Sequence, residues 1–173
     1  INYVLQSAHL VSEAKAILLT ELEKSTAPYY FMSSLSSIAE NDGDDETALD
    51  WRRKAYESSQ GAATRFQWGA NYVRTLIRLT PEDDRLIVTT AMTLLLDIDS
   101  EEDTFSGRNF RVLRSMTKSL RQWAEENALG DSNTDEENTN STGLIGSYNK
   151  LIETRCKAQE SGTTALENCA TLI

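Results

Sequence analysis

The chain has 173 residues and a formal net charge of −10, with 39% hydrophobic and 25% charged residues. These values are typical of one soluble globular domain with a single substantial core, so we predict one domain over residues 1–173. The negative charge argues against nucleic acid and anionic membranes as partners, because both attract basic proteins. The one long apolar run, residues 86–98, is too short to span a bilayer.

The start of the chain indicates that it belongs to something longer. Ile1 is not an initiator methionine, and no signal-peptide pattern follows it. We therefore expect the domain to have been excised from a larger protein.

Helical periodicity dominates the first half of the chain. Apolar residues at helical spacing predict a first helix over residues 3–24. Pro28 suits the first turn of a second helix, which ends at the turn containing Gly43, and a third follows over residues 45–59. The fourth helix, in the stretch from Ala62 to Pro81, has an apolar arc of roughly 200°, about twice that of a surface helix. It should therefore be covered by neighbours on two sides.

The second half continues in the same way. Thr80 and Pro81 predict the start of a fifth helix, with Thr80 as its cap, running to about residue 98. A sixth helix is predicted over residues 106–127. The polar, acidic stretch 128–142 predicts a flexible loop, since it has no apolar anchor. A final pair of helices follows, over 144–158 and 164–172.

No segment shows the alternation typical of strands. We therefore predict an all-α fold of seven or eight helices packed as antiparallel pairs.

One stretch carries the signature of a known repeat. Between Tyr29 and Tyr56 the spacing of small and aromatic residues resembles a tetratricopeptide repeat, in positions Leu35, Ala39, Gly43, Ala48, Trp51 and Ala55. Met32 stands where this family has a tryptophan, and the signature does not recur elsewhere. The sequence therefore predicts a tetratricopeptide-like array of helix pairs rather than a regular repeat protein.

A longer resemblance begins at Ala48. The stretch ALDWRRKAYESSQGAATRFQWGANYVRTLIRLTPEDD resembles the helical region that follows a thioredoxin-like domain in some bacterial exported thioredoxin-family proteins. The resemblance implies a non-catalytic accessory domain, a periplasmic or otherwise exported location, and a protein partner such as a thioredoxin-like domain in the same polypeptide. This chain contains no CxxC motif, so the redox function cannot be assigned to any of its residues.

Cys156 and Cys169 are the only cysteines. They fall near the ends of the last two predicted helices, and antiparallel pairing of those helices would bring them to bridging distance. A structural disulfide is the favoured interpretation and indicates an oxidising compartment. Two unrelated buried thiols and a redox-active pair are the alternatives.

A basic stripe on the sixth helix is a candidate partner site. Five cations lie on the side opposite its apolar residues: Arg108, Arg111, Arg114, Lys118 and Arg121. One interpretation is a solvated face neutralised by Glu101, Glu102 and Asp103 or by neighbouring helices. The other is a surface that docks an acidic partner.

A second candidate lies on the central helix. Arg65, Trp68 and Tyr72 share one flank, with Asn71 and Arg74 on its polar edge, and together they could line a groove for an extended peptide. The alternative is that the aromatic residues belong to the core and that Arg65 pairs internally.

Catalytic and metal motifs are incomplete. His9 is the sole histidine and has no identifiable triad partner. Asp131, Asn133 and Asp135 resemble the opening of a calcium loop, but Glu136 and Thr142 occupy the positions that need glycine and glutamate. We predict neither metal nor cofactor, and no enzyme activity for this chain.

Three functions remain open. The first is an accessory interaction domain of an exported thioredoxin-like protein. The second is a free-standing peptide- or protein-binding module without a redox role. The third is a helical enzyme that uses carboxylates in a cleft.

Overall fold

The computed structural model describes residues 10–97, 105–128, 141–159 and 163–172. Within these ranges it contains eight α-helices and no strand, which confirms the all-α prediction. The helices are α1 Val11–Leu22, α2 Tyr29–Asn41, α3 Asp45–Ser58, α4 Ala62–Leu79, α5 Asp84–Asp97, α6 Gly107–Ala128, α7 Ser141–Lys157 and α8 Thr164–Ala170.

The chain divides into two compact units, residues 1–60 and 61–173. The first unit contains α1 to α3, and the second contains α4 to α8.

Polar contacts between helices fix the first unit. The Ser36 hydroxyl donates to the Ala48 carbonyl at 2.7 Å, and Arg52 Nη1 donates to Ser33 Oγ at 2.5 Å. Ser33 precedes Ser36 on α2, but its partner Arg52 follows Ala48 on α3. The two helices are therefore antiparallel. The turn between them uses Gly43 at φ +77°, a conformation that glycine adopts without strain. Helix α1 completes a small core by packing Ala14 and Leu18 on α2.

Helix α4 is the centre of the second unit. It packs against α5 on one side and α6 on the other, as its wide apolar arc predicts. Helix α5 runs antiparallel to it, since Arg65 contacts Asp97 while Gly69 lies against Leu94. Helix α7 packs on both α5 and α6, and α8 packs on α7.

Helix α6 runs in the same direction as α4. Gln67 Nε2 donates to Asn109 Oδ1 at 3.1 Å, and further along both helices Arg74 Nη1 donates to Ser115 Oγ at 3.0 Å. The far end of α6 is anchored by the Trp123 indole N–H, which donates to the Pro81 carbonyl at 2.9 Å.

The predicted start of the fifth helix is wrong. Helix α5 begins at Asp84, and Asp83 rather than Thr80 caps it by accepting the Leu86 N–H at 3.1 Å. The Thr80 hydroxyl instead donates to the Leu76 carbonyl at 3.2 Å, so it closes α4. The N-cap is the residue directly before the helix, and that residue is Asp83.

Other predictions fall at or beyond the edges of the described residues. His9 and the start of the predicted first helix lie outside them. Helix α7 begins at Ser141 and α6 extends to Ala128, so both ends of the predicted loop 128–142 are helical. The rest of that loop, with Asp131 and its calcium-like pattern, lies outside the described residues.

Candidate functional site: a basic face and groove on helix α6

Helix α6 separates its apolar and basic residues cleanly. Its apolar side is buried and includes Leu113, Met116, Leu120 and Trp123. On the other side, four of the five predicted cations are exposed and Arg121 is half-buried. We call these five residues the basic face: Arg108, Arg111, Arg114, Lys118 and Arg121. Because of this segregation, one side of α6 is exposed to solvent while the other completes the core.

The basic face is not neutralised by the described part of the chain. None of its five cations forms an ion pair with a described carboxylate. Arg114 instead lies over the ring of Phe110, 5.6 Å from its centroid. The predicted neutralising residues Glu101, Glu102 and Asp103 lie outside the described residues. The structure therefore shows a concentration of positive charge on a chain that is acidic overall.

Arg121 is the member of the basic face that hydrogen-bonds to other parts of the described chain. Its Nε and Nη2 donate to Asn149 Oδ1 at 3.1 and 2.9 Å, and Nη2 also donates to the Leu172 carbonyl at 2.5 Å. The guanidinium thus joins α6 to α7 and to the turn after α8. These bonds leave Nη1 without a hydrogen-bond partner among the described residues.

A groove of about 380 Å³ runs along α6 beside the turn that follows α8. Its volume falls within the range of small ligand sites. Its charged lining residues are three cations of the basic face and, at the end of the groove nearest the C-terminus of α6, the carboxylate of Glu125. We call it the α6 groove. Its lining includes Arg114, Thr117, Lys118, Arg121, Glu125 and Leu172.

A buried hydrogen bond supports the floor of the α6 groove. The hydroxyls of Thr117 and Tyr148 are 2.8 Å apart, and both side chains are almost completely buried. Burial raises the pKa of the Tyr148 hydroxyl far above its usual value, although the hydrogen bond with Thr117 and the charge of Arg121 oppose the shift. The neutral phenol is therefore strongly preferred in the folded state.

This shift predicts a specific loss of stability in alkali. The folded-state pKa of Tyr148 lies above the unfolded value of about 10, so its contribution is complete below pH 10 and is lost as the pH rises further. Above pH 10 the free energy of unfolding should fall by about 1.4 kcal/mol per pH unit through this residue. Urea unfolding of wild type and Tyr148→Phe between pH 8 and 11.5 measures it. At pH 8 the free energy of unfolding of the variant should be about 1 kcal/mol lower than that of wild type. It should then decline less steeply as the pH rises. Parallel curves would contradict the assignment.

Cys156 and Cys169 are joined in the structure. Their Cα atoms are 5.5 Å apart, and both residues are about 1% exposed. The bond ties α8 to α7 and thereby holds the turn that forms one wall of the α6 groove. Burial of both sulfurs favours a structural bridge over a redox-active pair, since catalytic thiols need access to their substrates.

The structure divides the predicted site on α4. Arg65 Nη2 lies 4.0 Å from Asp97 Oδ2, on the side of α5, whereas Arg74 bonds Asn71 and Ser115 on the side of α6. Burial, followed by repulsion from Arg78, lowers the pKa of Arg74. Tyr72 is only 8% exposed and belongs to the core, while Trp68 is half-buried. The structure therefore places Arg65 and Arg74 against different neighbouring helices.

Comparison with known proteins adds no assignment. No protein family, curated protein or solved structure matches this chain.

Within the described ranges, no group of three or more histidine, cysteine and acidic side chains is placed to hold a metal ion. None of the described helices is long and apolar enough to cross a bilayer.

Proposed function

We propose that this chain is a non-catalytic helical interaction domain that docks an acidic protein surface through its basic face. The observation that carries the proposal is the set of five cations on α6 that have no carboxylate partner among the described residues. Uncompensated charge of one sign attracts a partner of the opposite sign and accelerates association. A merely solvated stripe would more often be interspersed with acids, as on α3, where Arg53 pairs with Asp50 and Glu57.

The partner we propose is a thioredoxin-like domain of an exported protein, carried in the same polypeptide. The sequence resemblance from Ala48 to Asp84 supports this assignment. The buried disulfide is consistent with an oxidising, periplasmic compartment. The packing of α6 on α4 and of α7 on α5 is consistent with stacked helix pairs of a tetratricopeptide-like array.

The alternative is a free-standing peptide-binding module without a redox role. It is favoured by the α6 groove, whose volume of about 380 Å³ is in the range of small ligand sites. The coding region upstream of Ile1 distinguishes the two. A signal peptide followed by a domain with a CxxC motif would support the accessory role, and a start codon directly before Ile1 would exclude it.

Charge reversal tests the basic face directly. We expect Arg111→Glu with Arg114→Glu to weaken binding to poly-L-glutamate at least about tenfold at 20 mM salt, because two attractions become repulsions in poorly screened solution. The difference should shrink strongly at 0.5 M salt. Fluorescence anisotropy of labelled polymer measures both affinities.

The matched control reverses two cations elsewhere. Lys15→Glu with Arg85→Glu changes the net charge equally, and both side chains are exposed and outside the basic face. This control should weaken binding far less. An equal loss in both double variants would show that only net charge matters and would remove the assignment to α6.

A further inference from the structure

We propose that the α6 groove binds an extended acidic peptide whose acidic side chains occupy alternate positions. This inference rests on the proposed attraction of the basic face for acidic groups, and it adds the conformation and the spacing of the acidic segment. It concerns the charged residues that line the groove, not the whole basic face.

The spacing of the cations selects the conformation of the ligand. Arg114 and Lys118 are four residues apart on a helix, so their Cα atoms are separated by about 6 Å along the axis. In an extended peptide, side chains at positions i and i+2 point the same way and lie roughly 6.6 Å apart. Two such acidic side chains therefore match the two cations. Contiguous acidic residues would place every second carboxylate on the opposite side.

The shape of the groove fits the same orientation. Its lining residues extend along α6 from Arg114 to Glu125, a distance of roughly 16 Å, which corresponds to about five extended residues. A peptide lying in it therefore runs along the helix. The wall formed by Thr171 and Leu172 is held by the disulfide and by Arg121, so the site is organised before a ligand arrives.

The two ends of the groove differ in charge. Arg121 follows Lys118 by one turn and presents Nη1 without a described partner, so it can bind a backbone carbonyl or a further carboxylate of the ligand. Glu125 lies one turn beyond and would repel an acidic residue. The acidic positions of the ligand should therefore lie toward Arg114, with a neutral or basic residue near Glu125.

Two peptides of equal composition test the spacing. Fluorescein-labelled GEGEGEG and GGEEEGG have the same length and charge and differ only in the placement of glutamate. We expect the alternating peptide to bind wild type at least fivefold more tightly at 20 mM salt, as measured by fluorescence anisotropy. A contiguous peptide that bound equally well would overturn the inference.

A pair of variants locates the preference. Arg114→Gln with Lys118→Gln should abolish the preference for the alternating peptide, because the two spaced cations are gone. Arg108→Gln with Arg111→Gln removes the same charge from the same helix but outside the groove. It should therefore reduce the affinity for both peptides by the same factor and keep the preference for the alternating peptide. Circular dichroism of each variant checks that the helical content is unchanged.

The outcomes separate this inference from the proposed function. If both peptides bind equally and both double variants weaken them equally, the acidic docking function holds and the groove has no special role. If neither peptide nor poly-L-glutamate binds wild type at low salt, both proposals fail. Loss of the preference in the Arg108 and Arg111 variant alone would place the site elsewhere on α6.

Discussion

Replacing Cys156 and Cys169 together by alanine is expected to lower the free energy of unfolding by about 3 kcal/mol. The two residues are 13 apart in sequence, and the bridge links the last turn of α7 to the last turn of α8. A cross-link of that span removes about this much conformational freedom from the unfolded chain in the loop-entropy account. Alanine is preferred to serine here because both positions are buried and a serine hydroxyl would need a partner.

Urea unfolding with and without reductant provides the measurement and its control. Oxidised wild type should unfold at a higher midpoint than the double alanine variant, and fully reduced wild type should move toward the variant. If the double variant were as stable as oxidised wild type, the bridge would contribute nothing to the fold. A single Cys156→Ala variant should resemble the double variant, since either cysteine alone cannot form the bond.

The same variant should affect the α6 groove. The wall at Thr171 and Leu172 follows α8, a helix of seven residues that the disulfide ties to α7. Helices this short are marginal without tertiary support. Loss of the bridge should therefore weaken the Arg121 bond to the Leu172 carbonyl and reduce the affinity for the alternating peptide, while poly-L-glutamate still binds the rest of the basic face.

Periodicity was enough to predict the helices and the separation of charge on α6. Both follow from local spacing: apolar residues at three and four positions apart define the buried side, and the cations fall on the opposite side. The turn at Gly43 was also predictable, because a short polar stretch with glycine has few other conformations. The start of α5 was not, because Thr80 could serve either neighbouring helix and only the packed structure decides between them.

The α6 groove could not be predicted from the sequence. It depends on where α7 and the turn after α8 lie beside α6, which is set by contacts between residues 28 to 51 positions apart, from Arg121 to Asn149 and Leu172. The buried pair of Thr117 and Tyr148 has no local signal either. On α4, the shared helical flank of Arg65 and Tyr72 was visible in sequence, but the different neighbours of Arg65 and Arg74 were not.

Gly69 is expected to control the close approach of α4 and α5. A Cβ atom at this position would lie 2.1 Å from Cδ2 of Leu94 and 2.9 Å from its Cδ1. Leu94 is about 1% exposed, so its side chain has little room to move. Gly69→Ala should therefore cost roughly 1–3 kcal/mol through overpacking, reduced by up to about 1 kcal/mol of improved helix propensity.

A double-mutant cycle separates the clash from other effects. Leu94→Ala alone should destabilise by roughly 2–5 kcal/mol, since it leaves a cavity in the core. In the double variant the added methyl group enters that cavity and meets no leucine, so the combined loss should be smaller than the sum by at least about 1 kcal/mol. Urea unfolding of the four proteins gives the coupling energy. Simple additivity would contradict contact between Gly69 and Leu94.

Gly146→Ala is the matched control for this cycle. Gly146 also lies within a helix, α7, but it is exposed, and a methyl group added there would meet no neighbouring atom within 4 Å. The substitution should stabilise the protein by up to about 1 kcal/mol, because alanine favours the helix and meets no obstacle. If the free energy of unfolding falls in Gly69→Ala and rises in Gly146→Ala, packing against Leu94, rather than backbone conformation, is what requires glycine at position 69.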